Sequence, residues 1–340
     1  MADGLRRLIG ATVAAIFSAA PEIERRRTAK NMAANRPMEL TVARGAASLP
    51  ASRWAGKGRA PNPQDVYERG FMAGLEAHYS ARDIEARILA AIRAAGLNPD
   101  ERLSPEELAA LDHFHTGGLR ASRELLELAQ IRAEDRVLDI GAGLGGSARL
   151  LASALGCRVD CVEMSPDYCA GAVLLNRLTG LEDRITVHQG SALDLPFPDG
   201  SFDVVWMQNV GMNIEDKRQL YGEISRVLKP GGRYAFQEMA AGEAAISYFP
   251  LPWATEPADS FLVSAQEMRL ALGGCGFSAE LFEDTSDAHL GRSIANARPA
   301  APGQLGLGIF VDNLAQKAEN ARCSLEEGQV RLVRGVFRVK

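Results

Sequence analysis

The chain has 340 residues, 46% hydrophobic and 24% charged, with a formal net charge of −5. That length permits one large core or two modest ones, and the composition is ordinary for a globular protein with a polar surface. Residues 1–64 hold eleven Lys and Arg against four Asp and Glu, so the remainder is acidic; this speaks against a phosphate-tracking nucleic-acid surface, which needs clustered basic side chains.

The N-terminal run "MADGLRRLIGATVAAIFSAA" pairs two arginines with an apolar stretch and small residues, as a signal peptide does. The stronger reading is a short amphipathic extension on a cytoplasmic protein, and no apolar run approaches the ~20 residues of a membrane span. Residues 1–64 are basic and broken by Pro and Gly, which predicts a flexible or weakly ordered arm. From 65 to 132 the spacing becomes helical. "VYERGFMAGLEAHY", "RDIEARILAAIRAAGL" and "ASRELLELAQI" repeat apolar residues at three and four, and Gly96 stands where a helix would end. "SPEELAALDHF" opens with Ser104 as N-cap, Pro105 in the first turn and Glu107 completing a capping box.

Beyond residue 133 the period switches. Short apolar strands at 136–143, 157–164, 184–192, 201–210 and 229–240 alternate with helical stretches, and two further strand-like runs fall at 279–286 and 329–340. Such alternation predicts a doubly wound α/β sheet built from parallel β-α-β units. Cys157, Cys161, Cys169, Cys275 and Cys323 form no C-x-x-C pair; Cys157 and Cys161 flank a strand, where Cys acts as a small hydrophobe, and no metal site is expected.

Within "VLDIGAGLGGSARLL" (137–151), Gly141, Gly143 and Gly146 spell G-x-G-x-x-G between a strand and a helix. Such a turn brings backbone N–H groups and a helix N-terminus against a polar ligand, and Glu163, closing the second strand, stands where these folds accept both ribose hydroxyls. Both features suit a nicotinamide-dependent dehydrogenase equally well. Asp139 distinguishes the cases: nicotinamide and flavin folds usually keep that position apolar, whereas a carboxylate there suits a ligand carrying an ammonium group. "GSALDLPFPDGSFDVVW" (190–206) and "LYGEISRVLKPGGRYAF" (220–236) follow at regular intervals.

With these four ordered motifs the chain resembles the class I S-adenosylmethionine-dependent methyltransferases over about 110–340. Its likeness is greatest to the small-molecule group that includes ubiquinone/menaquinone C-methyltransferases, sarcosine/dimethylglycine N-methyltransferases and sterol C-methyltransferases. The resemblance implies a Rossmann-like, mostly parallel seven-stranded sheet whose last strand is antiparallel. It also implies a helical cap over 65–132 and a catalytic domain over 133–340, with substrate-side insertions at about 241–270 and 288–326. It implies S-adenosyl-L-methionine as cosubstrate and S-adenosyl-L-homocysteine as product. Gly141, Gly143 and Gly145 would border the methionine part, Asp139 its amino group, Glu163 the ribose and Met164 the adenine. The family's "GDA" is here Gly190-Ser191-Ala192, so a hydroxyl replaces the carboxylate that reads the adenine edge. Gln208 and Asn209 would lie beside the reactive methyl.

"HFHTGGLRAS" (113–122) would fold over the cosubstrate, with His115 as the site histidine and His113 as a solvated helix residue. Tyr79 resembles an aromatic that closes over the sulfonium in N-methyltransferase relatives. The Pro- and aromatic-rich 247–261 offers Phe249 and Trp253 as a substrate wall, and Glu238 faces either the pocket or a structural partner. His115 and Glu238 are the candidate bases, and the scarcity of others tilts the acceptor towards an amine or sulfur. The alternative is O- or C-methylation of a phenol, quinone or lipid-like acceptor. A non-catalytic binding module and an NAD(P)-dependent oxidoreductase are the competing readings. The acceptor is expected to be a small molecule, and residues 293–325 are expected to form a lid or a homodimer surface.

Overall fold

The computed structural model describes residues 83–295 and 305–340. The expected extension, the first helix of the cap and Tyr79 lie outside the described residues.

Three helices precede the sheet. α1 (Ile84–Ala94) buries Ile84, Ile88 and Ile92, one stripe at four-residue spacing, and ends where Gly96 turns to φ +79°. α2 (Pro105–Asp112) begins as its sequence requires: the Ser104 N–H donates to Glu107 Oε2 at 2.8 Å, and the Glu107 N–H donates to Ser104 Oγ at 3.3 Å. α3 is Gly118–Ala129.

β1 (Arg136–Ile140), α4 (Gly146–Leu155), β2 (Arg158–Glu163), α5 (Pro166–Leu178), β3 (Ile185–Gln189) and β4 (Phe202–Gln208) follow, then α6 (Lys217–Val227) and β5 (Leu228–Ala241). The tail adds α7 (Ala265–Gly274), β6 (Phe277–Asp284), α8 (Ser286–Ala295), α9 (Leu314–Glu326) and β7 (Val330–Val339). The seven strands lie in the order β3-β2-β1-β4-β5-β7-β6. β1 to β5 are parallel, and β7 runs antiparallel to both its neighbours. This is the doubly wound sheet with an antiparallel last strand that the sequence implied.

Alternation along the strands fills both faces. Leu138, Ile140, Val205 and Met207 pack beneath α6 and α7, while Val137, Val159, Val204 and Trp206 pack beneath α3 and α4. Each large side chain withdrawn from water contributes about 1.5–3 kcal/mol. Cys157 and Cys161 sit wholly buried in the second of these cores. A third cluster seats α1 and α2 on α5 and on Leu144 of the glycine turn. A fourth, around Met212, Met239, Trp253 and Leu325, underlies the insertions after β5 and β6. Strand order reverses at β1, so the carboxyl ends of β1 and β4 open a crevice between them, where a ligand binds in folds of this kind. No helix among the described residues is long and apolar enough to cross a membrane.

Candidate active site

The crevice is a cavity of about 1450 Å³, lined by the glycine turn, the ends of β1 to β5, the 111–117 segment and the tail from 307 to 325. The turn is tightly sewn: the Gly141 N–H donates to Val162 O at 2.8 Å and the Gly145 N–H to Ala142 O at 2.8 Å. Gly141 holds φ +65°, and a Cβ there would meet Val210 Cγ2 at 2.4 Å. Gly146, at ordinary φ, is required for another reason. A Cβ would come within 2.6 Å of both the Asp112 carbonyl and His113 Nδ1.

That close approach rests on a buried ion cluster. Arg149, inside α4, donates to Asp112 Oδ2 at 2.7 Å and to Asn176 Oδ1 at 2.8 Å, and His113 Nδ1 lies 2.7 Å from Asp112 Oδ1. His113 is therefore not the solvated residue expected from the sequence; it is 4% exposed, because Asp112 needs partners once Arg149 has drawn it inside.

Two carboxylates face the cavity differently. Glu163 is held by backbone, accepting the Gly143 N–H on Oε2 and the Ser165 N–H on Oε1, both at 2.9 Å. Asp139 is buried and its Oδ2 has no hydrogen-bond partner. Burial first, and the nearby Glu163 charge second, push its carboxyl up to about 8.

At the end of β4, Gln208 is a hub. The hydroxyls of Ser122 (3.0 Å) and Ser147 (2.8 Å) and the Trp206 indole N–H (2.9 Å) converge on its Oε1. Three donors on one oxygen fix the amide orientation, so its NH₂ points the other way, towards His115 Nδ1 at 3.5 Å. His115 Nε2 bonds Ser122 Oγ at 2.9 Å. The Ser122 proton is committed to Gln208, and His115 Nδ1 also lies 3.5 Å from the Thr116 carbonyl. Burial and the neighbouring His113 lower its pKa to about 3, so the ring stays neutral and is a weak proton acceptor. Asn209 holds φ +54°; its Oδ1 accepts the Thr116 N–H at 3.3 Å, tying β4 to the 113–117 segment.

Met164, Ser191, Ala192 and Trp253 also line the cavity. Ser191 Oγ already accepts the Leu193 N–H at 3.1 Å, and Asp194, bridged to Ser191, lines the cavity beside it. Glu238 and Phe249 stand behind the wall. Glu238, placed with the substrate by the sequence, instead accepts the Val210 and Gly211 N–H groups at 3.0 and 3.1 Å, its structural alternative. Lys217 donates to the carbonyls of Gly211, Ile214 and Phe261, so the 211–213 turn is gripped from both polar ends. Burial pushes Glu238 up to about 7 and Lys217 down to about 8. Phe249 is half-buried against Trp253's cluster and takes no part in the lining. Sequence reasoning missed Asp112, Asp194 and His289, all of them in the lining. An aspartate at a helix end or in a loop, or a lone histidine, carries no signal until the fold gathers it.

Residues 138–236 match the family model described as a methyltransferase domain. The chain carries a methyltransferase domain. Over 130 residues this chain is 38% identical to the glycine/sarcosine/dimethylglycine N-methyltransferase of Actinopolyspora halophila, covering 38% of this chain and 23% of that one. Over 146 residues it is 34% identical to the chloroplastic tocopherol O-methyltransferase of Arabidopsis thaliana, covering 40% and 41%. The chain thus spans less than half the length of either relative. The fold is shared with geranyl diphosphate C-methyltransferase from Streptomyces coelicolor A3(2), solved with Mg²⁺, geranyl diphosphate and S-adenosyl-L-homocysteine. The match has a TM-score of 0.54 at 20% identity and covers 65% of this chain and 80% of that one. The methyltransferase domain begins in β1 and ends in β5, so it contains the glycine turn, Glu163 and Gln208 but neither the helical segment before residue 133 nor the tail.

Proposed function

We propose that the chain is an S-adenosyl-L-methionine-dependent methyltransferase acting on a small-molecule acceptor. One observation carries the choice of ligand: the buried, unpartnered Oδ2 of Asp139 beside the glycine turn. A pyrophosphate would be repelled there, whereas an ammonium group supplies the missing partner and stabilises the ionised carboxylate.

The other cavity groups fit the same ligand. Glu163, its carboxylate held by two amides, keeps lone pairs for the ribose hydroxyls, and Met164 offers its thioether to the adenine face. Gly141, Gly143 and Gly145 let the methionine chain approach backbone, while Ser191 and Ala192 border the adenine edge with Asp194 at hand. When bound, the cosubstrate supplies an electrophilic methyl on a sulfonium. Gln208, its amide orientation locked, and Asn209 flank the place where that methyl is handed over. His115, neutral and weakly basic, orients Gln208 rather than taking a proton. Holding two reactants in line contributes about 7–11 kcal/mol to such a displacement, without further covalent chemistry from the protein. The 83–132 helices act as a cap over the cofactor, and the segments after β5 and β6 face the acceptor.

Calorimetry with S-adenosyl-L-methionine, S-adenosyl-L-homocysteine and NADH tests this reading. Binding of the first two and silence with the third is expected. NADH binding, or no response to either sulfur ligand, overturns it.

A further inference from the structure

Single-ligand pockets usually span about 300–1,000 Å³, so a cavity of about 1450 Å³ holds a second ligand besides the cosubstrate. Its polar groups are unevenly spread. Among the described residues, the carboxylates of the lining are Asp112, Asp139, Glu163, Asp194, Glu215 and Asp216. Asp112, Asp139, Glu163 and Asp194 belong to the glycine-turn half, and Asp216 is drawn towards it: Gln219 Nε2 donates to Leu193 O at 3.0 Å, and the Gln219 N–H donates to Asp216 Oδ1, tying the start of α6 to the loop after β3.

Among the described residues the opposite half is largely hydrocarbon and thioether, with Met212, Met239, Trp253, Leu314 and Leu325 on its walls. Arg322 is the one Arg or Lys among the described lining residues. Its guanidinium is already engaged by Glu319, at 2.6 and 2.8 Å, and by Glu326. A ligand carboxylate or phosphate brought into this half therefore meets no uncommitted cation among the described residues, and leaving such a charge unpaired in an apolar chamber is costly.

Polar contact in the hydrocarbon half converges on one inner spot. The Thr116 N–H is held by Asn209 Oδ1, and the Thr116 hydroxyl donates to Met239 Sδ at 3.8 Å. The adjoining Gly117 faces His289, whose Nδ1 would lie 3.9 Å from a Cβ at that glycine. His289, half-buried on α8, is also in the lining. It is a better-placed proton acceptor than His115, which burial keeps weakly basic, or Glu238, which lies behind the wall.

Resting on the methyltransferase reading above, we infer that the acceptor is an uncharged, hydrocarbon-rich molecule bearing a hydroxyl, with His289 taking that hydroxyl's proton. As the hydroxyl proton passes to the neutral imidazole, an oxygen electron pair forms the new O–CH₃ bond. The electron pair of the breaking C–S bond returns to sulfur, turning the sulfonium into a neutral thioether, and the imidazolium then releases its proton to water. Of the two acceptor classes the sequence left open, the cavity favours the second.

The test uses the full chain with S-adenosyl-L-homocysteine bound, titrated calorimetrically with a terpene-substituted phenol and separately with sarcosine. The phenol is expected to bind with a negative heat-capacity change, the mark of apolar burial, and sarcosine not at all. Leu314→Asp places a charge on a half-buried wall position and should weaken phenol binding at least tenfold, with the affinity for S-adenosyl-L-homocysteine changed less than twofold. His289→Gln should keep both affinities and lose at least 100-fold in phenol turnover with S-adenosyl-L-methionine, the usual worth of a positioned base. Sarcosine binding or methylation, or a phenol indifferent to Leu314→Asp, overturns the inference and leaves the cofactor reading standing. Loss of S-adenosyl-L-homocysteine binding in the unmodified chain would instead sink that reading.

Discussion

The two halves of the cavity are made of different material. The glycine-turn half is backbone and buried charge: amides on Glu163, an Asp139 whose Oδ2 has no partner, and an Arg149–Asp112–His113 cluster pressed against Gly146. The other half is apolar side chain, with Trp253 and Leu325 of the insertions and Met212 of the 211–213 turn in one cluster. Backbone hydrogen bonds and buried ions are directional and admit one arrangement, whereas a hydrocarbon wall is specified chiefly by volume. The first half should therefore break sharply under substitution and the second yield gradually.

Asp112→Ala offers the hardest blow to that contrast. It strands Arg149, 0% exposed, without its carboxylate; removing one partner of a buried pair costs about 3–5 kcal/mol, read as a lowered urea midpoint. An unfolding free energy within 1 kcal/mol of the parent would show the cluster to be dispensable. Next comes Gly146→Ala. A methyl within 2.6 Å of a carbonyl and a buried ring forces the 112–113 backbone away. Overpacking of this sort costs about 1–3 kcal/mol, and binding of S-adenosyl-L-homocysteine should fall with it.

Asp139 sharpens the comparison through pH. Its carboxyl, raised to about 8, is protonated in the free protein at neutral pH. An ammonium ligand needs it ionised, so binding releases a proton. Affinity for S-adenosyl-L-methionine should rise between pH 6 and 7.5, approaching tenfold per unit at its steepest. In Asp139→Asn that slope should vanish; an unchanged slope would point to another group. By the same linkage, the raised carboxyl makes the unliganded fold lose stability as pH climbs from about 4 towards 8. The mildest effect belongs to the apolar half. Met212→Leu conserves volume and should cost less than about 1.5 kcal/mol, with S-adenosyl-L-homocysteine affinity unmoved in a calorimeter.

The same division governs what could be read from the chain. Ser104 with Glu107 and the spaced glycines are local devices whose geometry follows from neighbours in sequence, and each forms as read. α7 went unread although Ser264 and Glu267 close a capping box at its start. It buries only Met268 and Leu272 and runs out in glycines, so its period is faint. His113 was misplaced because its burial depends on Arg149, which lies on another helix. The segment at about 288–326 was expected on the substrate side, but His289 and the wall residues of 307–325 were not singled out within it, since apolar residues at helical spacing look alike whether they meet a core or a ligand. Of the expected closing aromatic, Tyr79, nothing is added, as it lies outside the described residues.

The grip of Glu238 and Lys217 on the 211–213 turn has an evolutionary consequence. The turn lines the cavity and is bolted from behind by side chains that take no part in the lining. On the proposed reading, substitutions can accumulate across the insertions and remodel which acceptor is admitted without shifting the floor of the cavity. A lineage built this way can change its substrate while inheriting its chemistry intact.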